Sequence, residues 1–458
     1  MVTIADPVFA KGQTRLTLLT CGYVALLMLL GGGGTPAPFS ELTCQLLGAF
    51  TALLWLALSS ADTRRPIPGL ALVTGLISAL PAIQLIQLPP LLWHALPDRA
   101  GLREALTLIV QDDTWRAWSI APHRTFAALL SLGPPLLAMG LASQLDPMGR
   151  RSLLKTIAAV GLLSIAVGAA QLAANGTSPL LFYGADGGAL YGFQANRNAQ
   201  ADVLLIALLA LFAAWTSGRG GGAGRDSWPG LAALAALFGL GVVLTTSRTG
   251  IVLIPVALLF AWPLLQRALP QFKIARWAVA ASGAAIVAAL LWVWRSPAVS
   301  RVLARFDFAG EYRLDIWQDT WFAIQRSWPV GTGVGTFQHA IFPAERLEAI
   351  GATVPNRAHN ELLELTLEGG LPGLVCWLVV SVIVLLALRR ALVQAQGSAR
   401  APVLFAAGTL AVTALHAMVD YPLRSMALAG LIGVAAGIAL ATGVSRPATQ
   451  TRQGDGPD

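Results

Sequence analysis

The chain has 458 residues, of which 55% are hydrophobic and only 12% are charged. Soluble domains carry about 25% charged residues, so this composition excludes an ordinary soluble protein. The formal net charge of +8 does not indicate a nucleic-acid partner, because the basic residues are almost all arginines scattered between apolar segments.

Long apolar runs predict an all-α fold, a polytopic helical bundle of about twelve transmembrane helices. A helix needs roughly 20 residues to cross about 30 Å of hydrocarbon, and runs of about that length recur along the chain. In chain order the predicted spans are Leu16–Leu30, Leu42–Ser59, Leu70–Leu88, Phe126–Ala142, Leu153–Ala174, Ala199–Trp215, Leu231–Leu244, Ile251–Leu265, Ala278–Trp294, Glu361–Leu388, Val403–Met418 and Met426–Gly443.

The distribution of basic residues predicts the orientation of the bundle. Short loops rich in Lys and Arg face the cytoplasm, and one set of alternate loops is the richer, with pairs such as Arg64–Arg65 and Arg389–Arg390. The linker "GGGGTPAPFS" on the other side has no basic residue. Both termini are therefore expected in the cytoplasm, and the long loops 89–124 and 295–360 outside. Alternatively, the first apolar run is a cleavable secretory signal.

The outward loop 295–360 contains "YRLDIWQDTWFAIQRSWP". Spacings of three and four place Leu314, Trp317, Trp321, Ile324 and Trp328 on one face, which predicts an amphipathic helix in the membrane interface. A helix packed against other outer segments is the alternative. The following "PVGTGVGTF" lacks the preceding strand of a nucleotide-binding motif and is predicted to be a tight turn.

Polar residues open the tenth span: His359 and Asn360 precede nine residues and then "GLPG", which begins at Gly370. Five further sequence stretches contribute to the same pattern: "SRTG", "RLDIWQ", "WPVGTGVGTF", "FQANRNAQA" and "HAMVDYPLR". Together they resemble the O-antigen ligase and Wzy-type polysaccharide polymerase family of bacterial inner membranes, most strongly from about 191 to 424. One position departs from the ligase pattern, which expects Leu where Val252 follows Arg248 by four residues.

This resemblance implies a GT-C-like glycosyltransferase of the inner membrane that works at the periplasmic face without a metal or other cofactor. Such an enzyme moves a glycan, with inversion, from undecaprenyl diphosphate to an acceptor sugar. The acceptor is another lipid-linked repeat for a polymerase and the lipid A core for a ligase. Residues 1–190 are then N-terminal spans, 191–443 the catalytic membrane region with its periplasmic loop 295–360, and 444–458 a cytoplasmic tail predicted to be disordered.

Arginines are the predicted cations for the departing diphosphate, whose developing negative charge must be stabilised. The planar guanidinium suits phosphate oxygens, and no Asp-x-Asp pattern lies on the outward side. Arg248, in the short hairpin between spans seven and eight, and Arg313, at the start of the amphipathic helix, are predicted catalytic residues. Arg197 and Asn198 are predicted to bind substrate. Alternatively, Arg248 snorkels to lipid headgroups and Arg313 is a solvated surface charge.

His359 is the predicted catalytic or acceptor-orienting residue. An imidazole, with an ordinary pKa of about 6.5, accepts a proton from a sugar hydroxyl near neutral pH. A lone histidine is more often structural, and the motif is what favours catalysis here. Asn360 is predicted to bind substrate beside it, whereas His416 merely ends a span.

Three glutamates follow on one face of the tenth span. Acidic residues are favoured at a helix N-terminus, which accounts for Glu361. Glu368 lies about 11 Å deeper at 1.5 Å per residue. It is therefore predicted to have a cationic partner, for which we expect Arg248, and to contribute to substrate binding.

Two other classes of function compete with the enzyme. A transporter or flippase has a similar helix count, and "DPMGRR" at Asp146–Arg151 is similar to a loop motif of the major facilitator superfamily. That motif falls between spans four and five here, and transporters keep their polar groups near the bilayer midplane rather than at one face. The other competitor is a non-catalytic scaffold of a polysaccharide assembly machine.

Overall fold

The computed structural model describes residues 7–34, 38–59, 66–174, 177–184, 188–217, 228–268, 308–351 and 354–442. The helices are α1 (Pro7–Leu30), α2 (Pro38–Leu58), α3 (Pro68–Gln84), α4 (Pro90–His94), α5 (Ala100–Thr107), α6 (Pro122–Ser131), α7 (Gly133–Gln144), α8 (Pro147–Ala173), α9 (Arg197–Thr216), α10 (Trp228–Leu244), α11 (Arg248–Ala268), α12 (Phe308–Ser327), α13 (Phe337–Ile341), α14 (Glu361–Gln394), α15 (Arg400–His416) and α16 (Met426–Thr442). Two-residue strands, β1 (Gln87–Leu88) and β2 (Arg116–Ala117), pair antiparallel.

Apolar helices account for the predicted spans in the described part of the chain. Eight helices there are long and apolar enough to cross a membrane, with α6 and α7 counted together, and α3, α10 and α16 are shorter apolar helices. The protein is therefore a polytopic, helical membrane protein. The ninth predicted span, Ala278–Trp294, and the tail 444–458 lie outside the described residues.

The fourth predicted span is interrupted, which the apolar run did not indicate. Helix α6 ends at Ser131 and α7 begins at Gly133. Pro134 and Pro135 follow immediately, and proline lacks the N–H that continues the hydrogen-bond ladder of a helix. The span Phe126–Ala142 is thus two helices rather than one.

Helix α9 lies at the centre of the bundle. All its residues from Ala199 to Ala210 are buried, and it packs against α8, α10, α11 and α15. Small residues permit this close packing, as is common between membrane helices. A Cβ atom added to Gly161 of α8, for example, would lie 2.4 Å from the Cβ of Ala207. The central position of α9 brings the polar residues of its first turns among several connecting loops.

The connections predicted to face outward meet at one end of the bundle. They follow the first, third, fifth, seventh and eleventh predicted spans, and the segment before the tenth span joins them. Residues that contact one another or share a cavity at this end are Gly32, Ile120, Asn196, Thr246, Thr332, Asn356 and Tyr421. The alternation predicted from the loops therefore agrees with the fold.

Helix α12 presents a different face to the protein from the one predicted. Ile324 is buried and the Trp317 indole Nε1 donates to the Ala358 carbonyl at 2.8 Å, whereas Leu314, Trp321 and Trp328 are exposed. The predicted apolar face is therefore divided between the protein and its surroundings. Size and apolarity do not decide which face packs inward in a membrane protein, since lipid is as apolar as the core.

The glycine-rich segment after α12 is a tight turn, as predicted, and it packs into a break in α14. Gly370 interrupts α14 with φ 57° and ψ −152°. Gly331, with φ 80°, comes so close that a Cβ on it would lie 2.6 Å from the Gly370 nitrogen. The Gly333 amide donates to the Glu368 carbonyl at 2.8 Å, and the Leu371 amide donates to the Pro329 carbonyl at 2.8 Å. Gly370 of the motif therefore admits this loop, whereas Gly373 faces Leu80 of the neighbouring helix α3.

Candidate active site

The N-terminus of α14 meets the C-terminus of α15, and this junction positions His359. The Glu361 amide donates to the Ala417 carbonyl at 2.9 Å. Asn360 caps α14, since its Oδ1 accepts from the amides of the second and third helical residues and its Nδ2 donates to the Met418 carbonyl at 3.0 Å. The side chain of Asn360, predicted to bind substrate, is thus engaged in holding the junction together.

His359 lies against Asp420 at this junction. Its Nδ1 is 3.2 Å from Asp420 Oδ1, and its ring contacts Tyr421 edge-on with 4.8 Å between the centroids. The backbone of His359 has φ 49°, in the left-handed region. The His359 side chain is 20% exposed and Asp420 5% exposed, so the carboxylate holds the ring while part of the ring stays accessible.

Asp420 is an ionised hydrogen-bond acceptor at neutral pH. Burial alone would raise the pKa of Asp420, but the hydrogen bond with His359 and the interaction with His416 outweigh it and hold this pKa below its ordinary value. Asn198, predicted to bind substrate, donates to the other carboxylate oxygen at 2.6 Å. A carboxylate can only accept, so His359 Nδ1 carries a proton, and in the neutral ring Nε2 then presents a lone pair.

A second Asp–His pair lies deeper, between α9 and α15. His416 Nδ1 is 2.6 Å from Asp202 Oδ1, and both side chains are 1% exposed. His416 Nε2 lies 3.9 Å from Asp420 Oδ2, which is too long for a hydrogen bond. His416 was predicted only to end a span, and the structure places it next to the carboxylate that holds His359.

A cavity of about 330 Å³ adjoins these groups. Its walls include Arg197, Asp202, His416, Asp420 and Tyr421, and the backbone of the Gly32–Gly34 linker closes one side. This volume is at the lower end of the range for ligand pockets, about 300–1,000 Å³. The cavity thus combines one cation with two carboxylates and an imidazole.

The predicted arginines lie around this end of the bundle. Arg197 lines the cavity, and its Nη1 donates to Thr246 Oγ1 at 3.1 Å. Thr246 is two residues before Arg248, which is exposed and opens α11. Arg313 is one turn before the Trp317 that holds the backbone next to His359, and its charge acts on His416. Of the three predicted arginines, Arg197 is thus the one that lines the cavity.

The cation that contacts Glu368 is Arg424, not the expected Arg248. One Arg424 nitrogen, Nη2, lies 3.2 Å from Glu368 Oε2 and 2.8 Å from Glu364 Oε1. The other Glu368 oxygen accepts from the Phe337 amide at 3.0 Å, so both oxygens are engaged within the protein. Although burial would lower it, the neighbouring carboxylates raise the pKa of Arg424. Arg357 completes the cluster, 2.7 Å from Glu364 Oε1.

Residues 233–378 match the family model Wzy_C, described as O-antigen ligase, and the match includes Arg248, Arg313, His359, Asn360 and Glu368. This part of the chain is an O-antigen ligase domain. The resemblance predicted from the motifs is therefore confirmed, within the stretch 191–424 predicted for it. No curated protein matches the chain.

The O-antigen ligase domain identifies a membrane protein with ligase- or polymerase-type function in surface polysaccharide assembly, and hence an enzyme of the glycosyltransferase type. Arg197, Asn198, Asp202, His416, Asp420 and Arg424 lie outside the matched residues. Among the residues that the structure describes, no group of three or more His, Cys, Asp or Glu side chains is arranged as a metal site.

Sequence reasoning missed Asp202, His416, Asp420 and Arg424. The stretch "HAMVDYPLR" contains three of them, and a histidine and an aspartate four residues apart can share one side of a helix end. That spacing was one available signal. Asp202, in the middle of an apolar span, was a second one, because an ionisable residue within a membrane helix is a functional candidate.

Proposed function

We propose that this protein is a periplasm-facing, inverting glycosyltransferase of the bacterial inner membrane. It transfers a glycan from undecaprenyl diphosphate to an acceptor sugar, either a lipid-linked repeat or the lipid A core, in surface polysaccharide assembly. The observation that carries the proposal is the His359–Asp420 pair beside a cavity with Arg197 at its exposed end, in a chain with an O-antigen ligase domain.

His359 acts as the general base. Its Nδ1–H donates to Asp420, which leaves the Nε2 lone pair to accept a proton from the acceptor hydroxyl. The hydroxyl oxygen then forms a bond to the anomeric carbon of the donor as the bond from that carbon to the phosphate oxygen breaks. The electron pair leaves with the diphosphate, and a single displacement of this kind inverts the anomeric configuration.

Arg197, Arg248 and Arg313 stabilise the departing diphosphate. Guanidinium groups fixed in place act on the charge that develops as the bond breaks, and no metal is required for this. Arg424 is not among these groups, because it is engaged by Glu364 and Glu368. Asn198 and Asn360 position the base by holding Asp420 and the α14 junction, while Glu368 holds the turn at Phe337.

In this proposal the outward connections lie in the periplasm and both termini in the cytoplasm. Residues 1–190 supply N-terminal spans, and 191–443 form the catalytic region with loop 295–360. The outer end of the bundle, where the cavity lies, is then at the lipid–water boundary. A lipid-linked donor reaches it from the membrane while the acceptor approaches from the periplasm.

Deletion of the gene, with analysis of surface glycan on gels, tests this function. Short repeats left on lipid A indicate a lost polymerase, and polymer retained on the lipid carrier indicates a lost ligase. Complementation with His359→Asn should fail to restore the glycan. Unchanged glycan after deletion, together with arrested transport of a small solute, would overturn the enzyme in favour of a transporter.

A further inference from the structure

Two buried polar atoms at the inner end of the cavity lack a hydrogen-bond partner. Asp202 Oδ2 and His416 Nε2 make no hydrogen bond within the described part of the chain, and both residues line the cavity. Their side chains are 1% exposed. A buried polar atom left unpaired is costly, so two of them on residues that line one cavity indicate a polar ligand.

The chemistry of the two atoms defines that ligand. The second polar atom of each side chain is already paired, since His416 Nδ1 and Asp202 Oδ1 form a hydrogen bond at 2.6 Å. Asp202 Oδ2 can only accept a hydrogen bond, whereas His416 Nε2 accepts in the neutral ring and donates in the protonated ring. A sugar hydroxyl group can donate to the first atom and can donate to or accept from the second. A phosphate oxygen is an acceptor and offers nothing to Asp202 Oδ2.

The charges along the cavity separate two kinds of ligand. Arg197 is the exposed first residue of α9, and Asp202 is five residues further into the same helix, about 7.5 Å at 1.5 Å per residue. Asp202 places negative charge at the inner end, whereas Asp420 bonds Asn198, next to Arg197, and lies nearer the outer end. An anion is therefore favoured near Arg197 and disfavoured beside Asp202, where a neutral ring belongs.

The inner end is closed, since Asp202 and His416 are buried between α9 and α15. A donor sugar is attached to the diphosphate on one side and to the rest of its glycan on the other, so it cannot end in a closed cavity. The last sugar of an acceptor glycan is attached on one side only and can do so.

We propose that Asp202 and His416 form a binding subsite for the terminal, uncharged sugar of the acceptor, whose hydroxyl groups form hydrogen bonds with Asp202 Oδ2 and His416 Nε2. This inference rests on the proposed function and adds a specificity determinant to it. The neighbouring Asp420 connects this subsite to His359, so that a terminal sugar held there presents a further hydroxyl to the base.

The test measures binding of two probes to the full chain in detergent. One is the repeat oligosaccharide of the host's surface glycan, released by mild acid and therefore without diphosphate; the other is undecaprenyl diphosphate without a glycan. Asp202→Asn and His416→Gln should each weaken oligosaccharide binding about tenfold, the effect of one lost hydrogen bond, and leave undecaprenyl diphosphate binding unchanged. Arg197→Ala should weaken binding of undecaprenyl diphosphate and leave oligosaccharide binding unchanged.

A third probe is the same oligosaccharide trimmed of its terminal sugar by an exoglycosidase. It should bind the unmodified protein about as weakly as the complete oligosaccharide binds the two variants. Gln200→Met is the matched control: Gln200 is buried in the same helix, bonds Ser164 and does not line the cavity. It should leave the affinities for all probes unchanged.

The two substitutions are close to isosteric and can be tested independently. A variant that binds undecaprenyl diphosphate normally is folded, and one such variant is enough for the test. Undiminished oligosaccharide binding by such a variant would overturn this subsite and leave the proposed function intact. If the unmodified protein binds neither undecaprenyl diphosphate nor oligosaccharide, the proposed function fails together with the subsite.

Discussion

His359 and Asp420 are 61 residues apart in sequence and 3.2 Å apart in the structure. His359 precedes α14, whereas Asp420 follows α15, and the two helix ends are joined by the bond from the Glu361 amide to the Ala417 carbonyl. Asp420 also accepts from Asn198 at the start of α9. One carboxylate thus connects three helices to the proposed base.

Substitution Asp420→Asn is expected to destabilise the protein by about 1–3 kcal/mol at pH 7, because it alters a buried acceptor with two donors. The pKa of Asp420 is lowered in the folded state, so its contribution to stability is present above the ordinary aspartate pKa of about 3.9 and is lost as the pH falls through the lowered value. The difference in melting temperature between the two proteins should be constant from pH 7 to 5 and shrink below about pH 4. A difference that already shrinks near pH 6 would contradict this assignment.

The sequence predicted the helices of this fold, the proposed base and the tight turn of "PVGTGVGTF", because each depends on residues close together in the chain. Apolar length identifies a membrane helix, and a glycine with positive φ leaves a local signature. The partner of Glu368 was predicted wrongly, since Arg424 is 56 residues away beyond another helix. Spacing within a helix identifies a shared face but not which loop covers it.

His359→Asn should reduce glycan transfer by about 10²–10⁴-fold, the usual contribution of a general base. Asparagine is the appropriate replacement because, like histidine, it tolerates the positive φ of this position, whereas alanine would add backbone strain. Transfer is measured with purified protein and lipid-linked donor. His94→Asn, which alters a histidine that bonds the Asp112 carbonyl in another loop, is the control and should retain activity. Full activity of His359→Asn would leave only a scaffold role for this residue.

Gly370→Ala should destabilise the protein by roughly 2–5 kcal/mol, through positive-φ strain and through contact with a backbone that cannot move aside. A Cβ at this position would lie 2.3 Å from the Pro329 carbonyl oxygen. Gly75→Ala in the neighbouring helix α3 meets nothing within 4 Å and should be neutral or slightly stabilising. The melting temperatures of the two variants are compared by thermal unfolding, which is monitored by size-exclusion chromatography. Equal melting temperatures would mean that the Pro329–Gly370 contact does not form.

Arg424→Gln should cost about 3–5 kcal/mol, because it leaves the buried Glu364 and Glu368 without their shared cation. Arg326→Gln is the matched substitution at a more exposed ion pair, where Arg326 contacts Asp98 and the two side chains are 42% and 24% exposed. Exposed ion pairs contribute little, since water and salt screen them, so this variant should unfold close to the unmodified protein. A similar loss in both variants would show that burial does not determine the role of Arg424.

Removal of divalent metal tests how the diphosphate is stabilised. If Arg197, Arg248 and Arg313 supply the positive charge, purified protein should transfer glycan at the same rate in excess EDTA as in magnesium. Arg197→Lys should be slower by about tenfold or more, because the ammonium group does not reproduce the two-pronged contact of guanidinium with phosphate oxygens. Activity that disappears in EDTA and returns with magnesium would assign the charge to a metal instead. The arginines would then be needed only to bind the carrier, and Arg197→Lys would raise KM without lowering kcat.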